Sequence, residues 1–575
     1  MAAPEIDRVA LLAGFDEVVA GVMRDWRVPG LAVAVVHGDD VLLEREFGFR
    51  DAERRLPVTP DTLFSIGSCT KAFTTASLGL LADDGQLDWD EPVRRYLPWF
   101  ALRDPFASER ITPRDLVTHR SGLPRHDLAW YGSPAPRREL VERLRFLEPN
   151  KDIRTVWQYQ NLMYLAAGYL AGHVAGTEWE ELVQRRIFDS LGMASSTFSV
   201  DSAQERSDIA LPYQERDDEV RRLPFRNIDA VGPAGSIVAS LADMTRWLRV
   251  QANGGASGGR RLLSEGQLAQ MHAPQMVMPS SGRYPEVTNP SYGLGWAIES
   301  YRGHTVVQHG GNIDGFSALV ALVPRERLGA VVLANLDGVP VPDVVAYGAF
   351  DRLLGLDLAP WNERFLGLKS EEKAGAKAGK ERVAAAIVPH AGPSHPLEAF
   401  VGEFANGGYG TLLVERGEEG LRLRLNGFAG PLVHQHYDVF EFEFAPSEER
   451  ARFVFATDQH GEIASVAAPL EPTVGDIVFV RRPPVSMEEP AVLARFVGVY
   501  DLLGAPVTVA FKGSRALQLS APGMPGYALA PWRGTTFRFA GLADFSVEFV
   551  EGEAGTIEAA ILTQPNGTFR APRRS

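Results

Sequence analysis

Leu63-Phe64-Ser65-Ile66-Gly67-Ser68-Cys69-Thr70-Lys71-Ala72-Phe73-Thr74-Thr75-Ala76 puts a hydroxyl and an amine three residues apart at the start of an apolar, helix-forming run. With Ser68 in the first turn of a helix, the i,i+3 spacing places Lys71 on the same face, its amine within reach of the serine Oγ. A lysine held neutral there can take the serine's proton, so a serine becomes a nucleophile with no histidine beside it. Ser-x-x-Lys alone also describes a solvated helix start with Ser as N-cap. The reading therefore depends on what else the chain carries.

Two further motifs decide it. Tyr159-Gln160-Asn161 lies just before the helical segment Leu162-Met163-Tyr164-Leu165-Ala166-Ala167-Gly168-Tyr169-Leu170 and offers a phenol and an amide. His309-Gly310-Gly311-Asn312 lies between two strand-like runs, where paired glycines let backbone N–H groups approach a ligand closely. Ser-x-x-Lys, Tyr-x-Asn and His-x-Gly in this order resemble the penicillin-recognising serine hydrolases, in the branch similar to class C β-lactamases, D-aminopeptidases and related esterases. Three further passages have the same look: Ile111 to Pro124, Gly232 to Ser236, and Leu328 to Asn335.

The resemblance spans residues 1–365 and implies an α+β fold, an antiparallel sheet packed by helices of the β-lactamase/transpeptidase kind. It implies a site built from Ser68, Lys71, Tyr159, Asn161 and His309. The oxyanion donors would be the N–H groups of Ser68 and of Asn312, just past Gly311. No metal and no cofactor is expected. Ser68 Oγ would attack a carbonyl to form an acyl-enzyme. Lys71 and Tyr159 would share the proton work, the phenol drawn below its free pKa of about 10 by a nearby ammonium. Which of the two is the base stays open, because coupled sites titrate as a pair. Asn161 is expected to bond Lys71 or the substrate amide.

His309 stands where β-lactamases of this superfamily carry lysine in a Lys-Thr-Gly triplet. A neutral histidine followed by Gly310 supplies neither the charge nor the hydroxyl that holds a β-lactam carboxylate. Amide or ester hydrolysis therefore ranks above β-lactamase activity, with small molecules or short peptides as substrates and D-aminoacyl peptides or amides as the leading guess. The rivals are a carboxylesterase of the same family and a β-lactam-acylated sensor that does not turn over.

At 575 residues, 45% hydrophobic and 23% charged, the chain is too long for one core and ordinary in composition. A formal charge of −15 speaks against nucleic acid and anionic membranes as partners. A homo-oligomer is left open. The single cysteine, Cys69, excludes an intramolecular disulfide and reads as a small buried filler, since a residue two before Lys71 points away from it on a helix. Met1 to Leu12 lacks the basic-then-apolar pattern of a signal peptide, and no stretch approaches the roughly 18 to 20 apolar residues of a membrane span. The expectation is a cytoplasmic protein.

Val9, Leu12, Phe15, Val19, Val22, Met23 and Trp26 predict an amphipathic helix over 8–26. Hairpins are expected at Leu31–Phe47 and Ser317–Leu336. A Lys, Glu, Ala and Gly-rich connector spans 366–395, followed by two small antiparallel β-barrels, 396–484 and 485–575. They share a weak repeat, Phe400-Val401-Gly402-Glu403-Phe404 and Phe496-Val497-Gly498-Val499-Tyr500, and look like the lipocalin-like modules appended to D-aminopeptidases. The turn Asn406 to Gly410, with Tyr409, is expected to act as a lid over the cleft, as is its counterpart Asp501 to Pro506. His119 reads as structural. Ile313, Asp314 and Phe316 are candidate pocket walls. His434, His436 and Asp438 are expected on one face of a strand running Leu432 to Phe444, as a polar patch rather than a metal site.

Overall fold

The computed structural model describes residues 7–385, 388–445, 449–483, 485–514, 516–542, 544–552 and 555–574. The first six residues of the Met1–Leu12 stretch, two residues of the connector (386 and 387) and Pro484 at the barrel boundary lie outside the described residues. Two compact units are present. The first comprises residues 1–387 together with the short segments 407–409 and 470–475, and the second the remainder.

The first unit is built on a nine-stranded antiparallel sheet. Its strands are β1 (Gly30–His37), β2 (Asp40–Asp51), β3 (Leu56–Pro57), β4 (Met276–Val277), β5 (Val287–Tyr292), β6 (Ala297–Tyr301), β7 (His304–Ile313), β8 (Phe316–Val323) and β9 (Leu328–Ala334). Their spatial order is β4-β5-β6-β7-β8-β9-β1-β2-β3, so the late strands lead back onto the N-terminal hairpin through β9 and β1. Strands β1, β8 and β9 are almost wholly apolar, rich in Val, Leu and Ala, and they are buried along nearly their full length. That composition suits strands covered on both faces.

Among the described residues six helices of more than eight residues accompany the sheet: α1 (Phe15–Trp26), α2 (Thr70–Asp83), α3 (Asn161–Ala175), α4 (Leu241–Ala252), α5 (Val341–Leu353) and α6 (Trp361–Ala385). Helices α1 and α5 share a core with the sheet through Phe15, Val19, Val33, Val332, Val345 and Phe350. The helix expected over 8–26 is interrupted. A short turn, Arg8–Leu11, capped by Asp7, is separated from α1 by Gly14, whose φ of 72° no helix accommodates. Helix α6 runs through the first two thirds of the stretch read as a connector.

Helices α2 and α3 are buried on nearly all sides, as their unbroken small and apolar sequences require. They pack on each other and on the short helix Gly232–Gly235. Thr74 Oγ1 donates to Pro233 O at 2.7 Å and fixes that short helix to α2.

The segment 111–124 is organised by one buried carboxylate. Asp115 takes part in a reciprocal cap with Thr112 and receives charged bonds from Arg120 and Arg154. Burial pushes its carboxyl up, but the two guanidinium groups outweigh that and leave it below the usual carboxylate range. The segment then delivers His119 behind Tyr159, where Gln160 N–H donates to His119 Nδ1.

In the second unit eight strands, from Gly402–Asn406 to Ile477–Arg482, form a closed barrel. Eight more, from Gly498–Leu502 to Gly567–Pro572, form a sheet whose ends are bridged by Tyr500 and Arg573. The sequence repeat is the device that plugs each one. Phe400 and Phe496 end short helices and are buried, as are Phe404 and Tyr500. An arginine near the end of each module donates to the carbonyl in the middle of the repeat, Arg481 to Val401 O and Arg573 to Val497 O.

Leu432 to Phe444 is not one strand. It is a hairpin of Phe428–His436 and Val439–Phe444, turned at Tyr437, whose φ is 49°. His434 Nε2 meets Tyr437 O, Asp438 accepts from Ser394, and His436 Nδ1 accepts from Val388 N–H, so the three side chains take separate partners. No helix among the described residues is long and apolar enough to cross a membrane.

Asp115→Ala leaves two guanidinium groups and a capping threonine without their acceptor and should destabilise the protein by about 3 kcal/mol at pH 7. Because the folded carboxyl lies below its unfolded pKa of 3.8, that stability is complete above it and lost as pH falls through the lower, folded value. Urea unfolding of the parent and variant should therefore converge in acid, and a pH-independent gap would refute the ionic account.

Candidate active site

Ser68 lies in a single 3₁₀ turn, Gly67–Cys69, that runs straight into α2. Lys71 sits in the first turn of α2 and is fully buried. Its Nζ is 2.9 Å from Ser68 Oγ, 2.9 Å from Asn161 Oδ1 and 2.7 Å from Ala234 O. Asn161 opens α3 and Tyr159 precedes it by two residues, its hydroxyl donating to Ser68 Oγ at 2.7 Å. The three apolar helices described above therefore bring Ser68, Lys71, Tyr159 and Asn161 together as their motifs predict.

Burial drives the Lys71 amine well below its usual pKa, and the nearby Arg125 charge adds to the effect. A neutral amine has two hydrogens and one lone pair. Ala234 O and Asn161 Oδ1 both accept from the amine, so an unprotonated Lys71 would turn its one lone pair to the Ser68 hydroxyl 2.9 Å away. The expectation for Tyr159 is corrected. Burial pushes its phenol up rather than down, outweighing the Ser68 bond and the Arg125 charge that act the other way. Tyr159 is a proton-bearing donor in this arrangement.

Cys69 is buried, its thiol pushed up to about 12 by burial and donating to His309 O at 3.1 Å. It is a filler. His309 Nε2 lies 2.8 Å from Tyr292 OH and Nδ1 lies 2.6 Å from Gly310 O, which fits a neutral ring with hydrogen on Nδ1. Burial lowers its pKa to about 3. His119 is buried against Tyr159, Tyr292, Tyr164 and Trp157, with ring centroids 4.3 to 5.8 Å away, and packs behind the phenol as a structural residue.

Gly311 and Gly67 make the approach of β7 to the serine turn possible. A Cβ on Gly311 would lie 2.0 Å from Ile66 O and 3.1 Å from Ser68 N, and one on Gly67 would lie 2.9 Å from Asn312 N. The amides of Ser68 and Asn312 thus converge where a side chain would separate them. Ile313, Asp314 and Phe316 line a cavity of about 10 Å³ with Ser65 and Ser236, room for one water at most.

Two residues were not singled out from sequence. Asp127 Oδ2 accepts from Arg125 Nε at 2.6 Å, and its Oδ1 accepts from Trp130 Nε1 at 2.9 Å and from Asn161 Nδ2 at 3.2 Å. The Arg125 guanidinium stacks 4.9 Å from the Tyr159 ring centroid. Their only sequence signal is position, immediately after the 111–124 passage. Tyr409, in the turn expected as a lid, is buried in the first unit with its hydroxyl 2.7 Å from His126 Nδ1. Leu503 in the counterpart turn is 83% exposed.

Residues 15–351 match the Beta-lactamase family, more than half the chain, and the chain belongs to that family of serine hydrolases. Residues 387–481 match a domain of unknown function, DUF3471. The chain is 31% identical over 428 residues to an unguisins hydrolase of Aspergillus campestris, covering 70% of this chain and 78% of the relative. To an unguisins hydrolase of Aspergillus violaceofuscus it is 29% identical over 441 residues, with coverages of 71% and 77%. In fold it resembles the octameric penicillin-binding protein homologue from Pyrococcus abyssi, with a TM-score of 0.55 at 22% identity over 81% of this chain and 99% of that one.

The rate at which a fluorophosphonate labels Ser68 should fall as pH drops through the depressed Lys71 pKa, because only the neutral amine accepts the proton. His309→Gln should leave that inflection in place. An inflection near 6.5 that vanishes in His309→Gln would assign the base to His309 instead.

Proposed function

We propose that this hydrolase acts on small amide and peptide bonds, with D-aminoacyl peptides or amides as the leading substrates, through an acyl-enzyme on Ser68. The observation that carries the reading is the fully buried Lys71 amine 2.9 Å from Ser68 Oγ, with Asn161 Oδ1 and Ala234 O as its other two neighbours. Lys71 takes the hydroxyl proton as Oγ bonds to the carbonyl carbon. The oxyanion forms between the Ser68 and Asn312 amides. Collapse breaks the C–N bond, and the leaving nitrogen needs a proton, which the Tyr159 hydroxyl on the same Oγ is placed to deliver. Water then attacks the ester, with the same groups working in reverse.

A built-in donor for the leaving atom favours amides, whose amine leaves only when protonated, over esters. The unguisins hydrolases among its relatives support a hydrolytic role. A neutral His309 gives β-lactams no cation on β7, which ranks them below linear substrates.

Ser68→Ala should lose about 10³-fold or more in kcat/KM on aminoacyl p-nitroanilides while Cys69→Ala keeps most activity. Lys71→Ala and Tyr159→Phe should each lose about 10²-fold or more, and the double variant should be little worse than the poorer single. Turnover of p-nitrophenyl esters with none of the L- or D-anilides would favour the carboxylesterase, and a burst without steady turnover would favour the sensor.

A further inference from the structure

Arg125 is the one cation beside the Tyr159 ring that the proposed chemistry leaves unused. Its Nε is committed to Asp127, Glu471 is the other carboxylate whose charge acts on it, and among the described residues no hydrogen bond runs from either terminal nitrogen. Its side chain is 53% exposed. The outer edge of the guanidinium is therefore open, and that edge is the one that receives a carboxylate in a two-bond fork.

The group is held rather than free. The next residue, His126, is buried in a left-handed conformation, φ 47°. Its N–H donates to Glu471 Oε2 at 3.0 Å, and its ring nitrogens lie 2.7 Å from Tyr409 OH and 2.9 Å from Glu148 O. All of these belong to the first unit. Asp127 on the other side is fixed by Trp130 and Asn161. Backbone and head group are thus pinned on both flanks, so a ligand meets a preorganised donor.

Position gives the ligand. Arg125 covers the face of Tyr159, whose hydroxyl touches Ser68 Oγ and, on the reading above, protonates the leaving nitrogen. A group held by Arg125 therefore belongs to the leaving side of the scissile bond. We infer that Arg125 is the carboxylate-binding residue of the site and that the preferred substrates are amides whose leaving amine carries a free carboxylate, that is, the peptide bond of a dipeptide or the last bond of a short peptide. The inference rests on the Ser68 hydrolase reading. It places the recognising cation on the loop after Pro124, whereas His309 on β7 carries no charge.

The test uses the full chain, D- and L-dipeptides with their matching dipeptide amides, and the concentration of each that halves the rate of fluorophosphonate labelling at Ser68. In the parent, acids should protect at concentrations about tenfold lower than amides. Arg125→Met should bring the ratio to about one, and Arg125→Lys, a charge without the fork, should keep part of it. Equal protection by acids and amides in the parent, no protection by any dipeptide, or a ratio that survives in Arg125→Met would overturn the assignment. A uniform loss of labelling in Arg125→Met with the ratio intact would likewise overturn it, showing that Arg125 acts only on Tyr159. Absence of labelling in the parent would instead overturn the serine-hydrolase reading beneath it.

Discussion

The site depends on one amine kept out of water. Lys71 is fully buried with three oxygen neighbours, none of them a carboxylate. The nearest acid in the electrostatic environment, Asp127, is bound to Arg125, and the arginine's effect on Lys71 outweighs that of the aspartate. An ammonium in that position would be desolvated without a counter-ion, which is costly, so burial holds the amine's pKa well below its usual value. The proposed chemistry follows from it. One buried environment lowers the amine and raises the phenol, which suits Lys71 to accept the Ser68 proton and Tyr159 to donate one in the proposed reaction.

This division of labour is what the sequence could not settle. The i,i+3 spacing of Ser68 and Lys71 and the placement of Tyr159 and Asn161 at the head of α3 are local facts of helical geometry, so they were legible. The phenol's direction was not, because it depends on how completely the pair is desolvated, and that comes from the packing of α2 against α3 and the 232–235 helix. The Ala234 carbonyl that consumes an amine hydrogen is likewise invisible, since any residue presents a backbone oxygen there. Arg125 and Asp127 carried no periodicity and no spacing to a motif. Only the fold brings them to Tyr159 and Asn161.

The large elements fared better for a similar reason. Near-continuous apolar runs at β1, β8 and β9 admit few alternatives once both faces are covered, and the hairpins were legible. Mistakes fell where a single backbone angle decides. Gly14 breaks the N-terminal helix and Tyr437 turns what alternation presented as one long strand, both by positive φ values that apolar patterning does not encode. In the barrels the repeat was visible as letters, but its meaning needed the partner arginines, Arg481 and Arg573, each about eighty residues downstream in its module.

His309 changes what the wall beside the serine can do. Its ring hydrogen is turned to Gly310 O and its other nitrogen to Tyr292 OH, so both polar atoms are spent inside the protein. With the pKa near 3, it stays neutral across any physiological pH and gives β7 no charge to offer a substrate. The strand then contributes backbone alone: Gly311 lets it close on Ile66, and Asn312 presents its amide beside that of Ser68. The Asn312 side chain points the other way, accepting from Ser317 Oγ at 2.9 Å on β8. In the proposed reaction such a strand would stabilise an oxyanion without choosing among substrates, because every acyl transfer develops the same charge on the same oxygen. Discrimination must then come from groups elsewhere around the serine, and the loop that holds Arg125 and Asp127 against Tyr159 and Asn161 is the part of the site with charge left to do it.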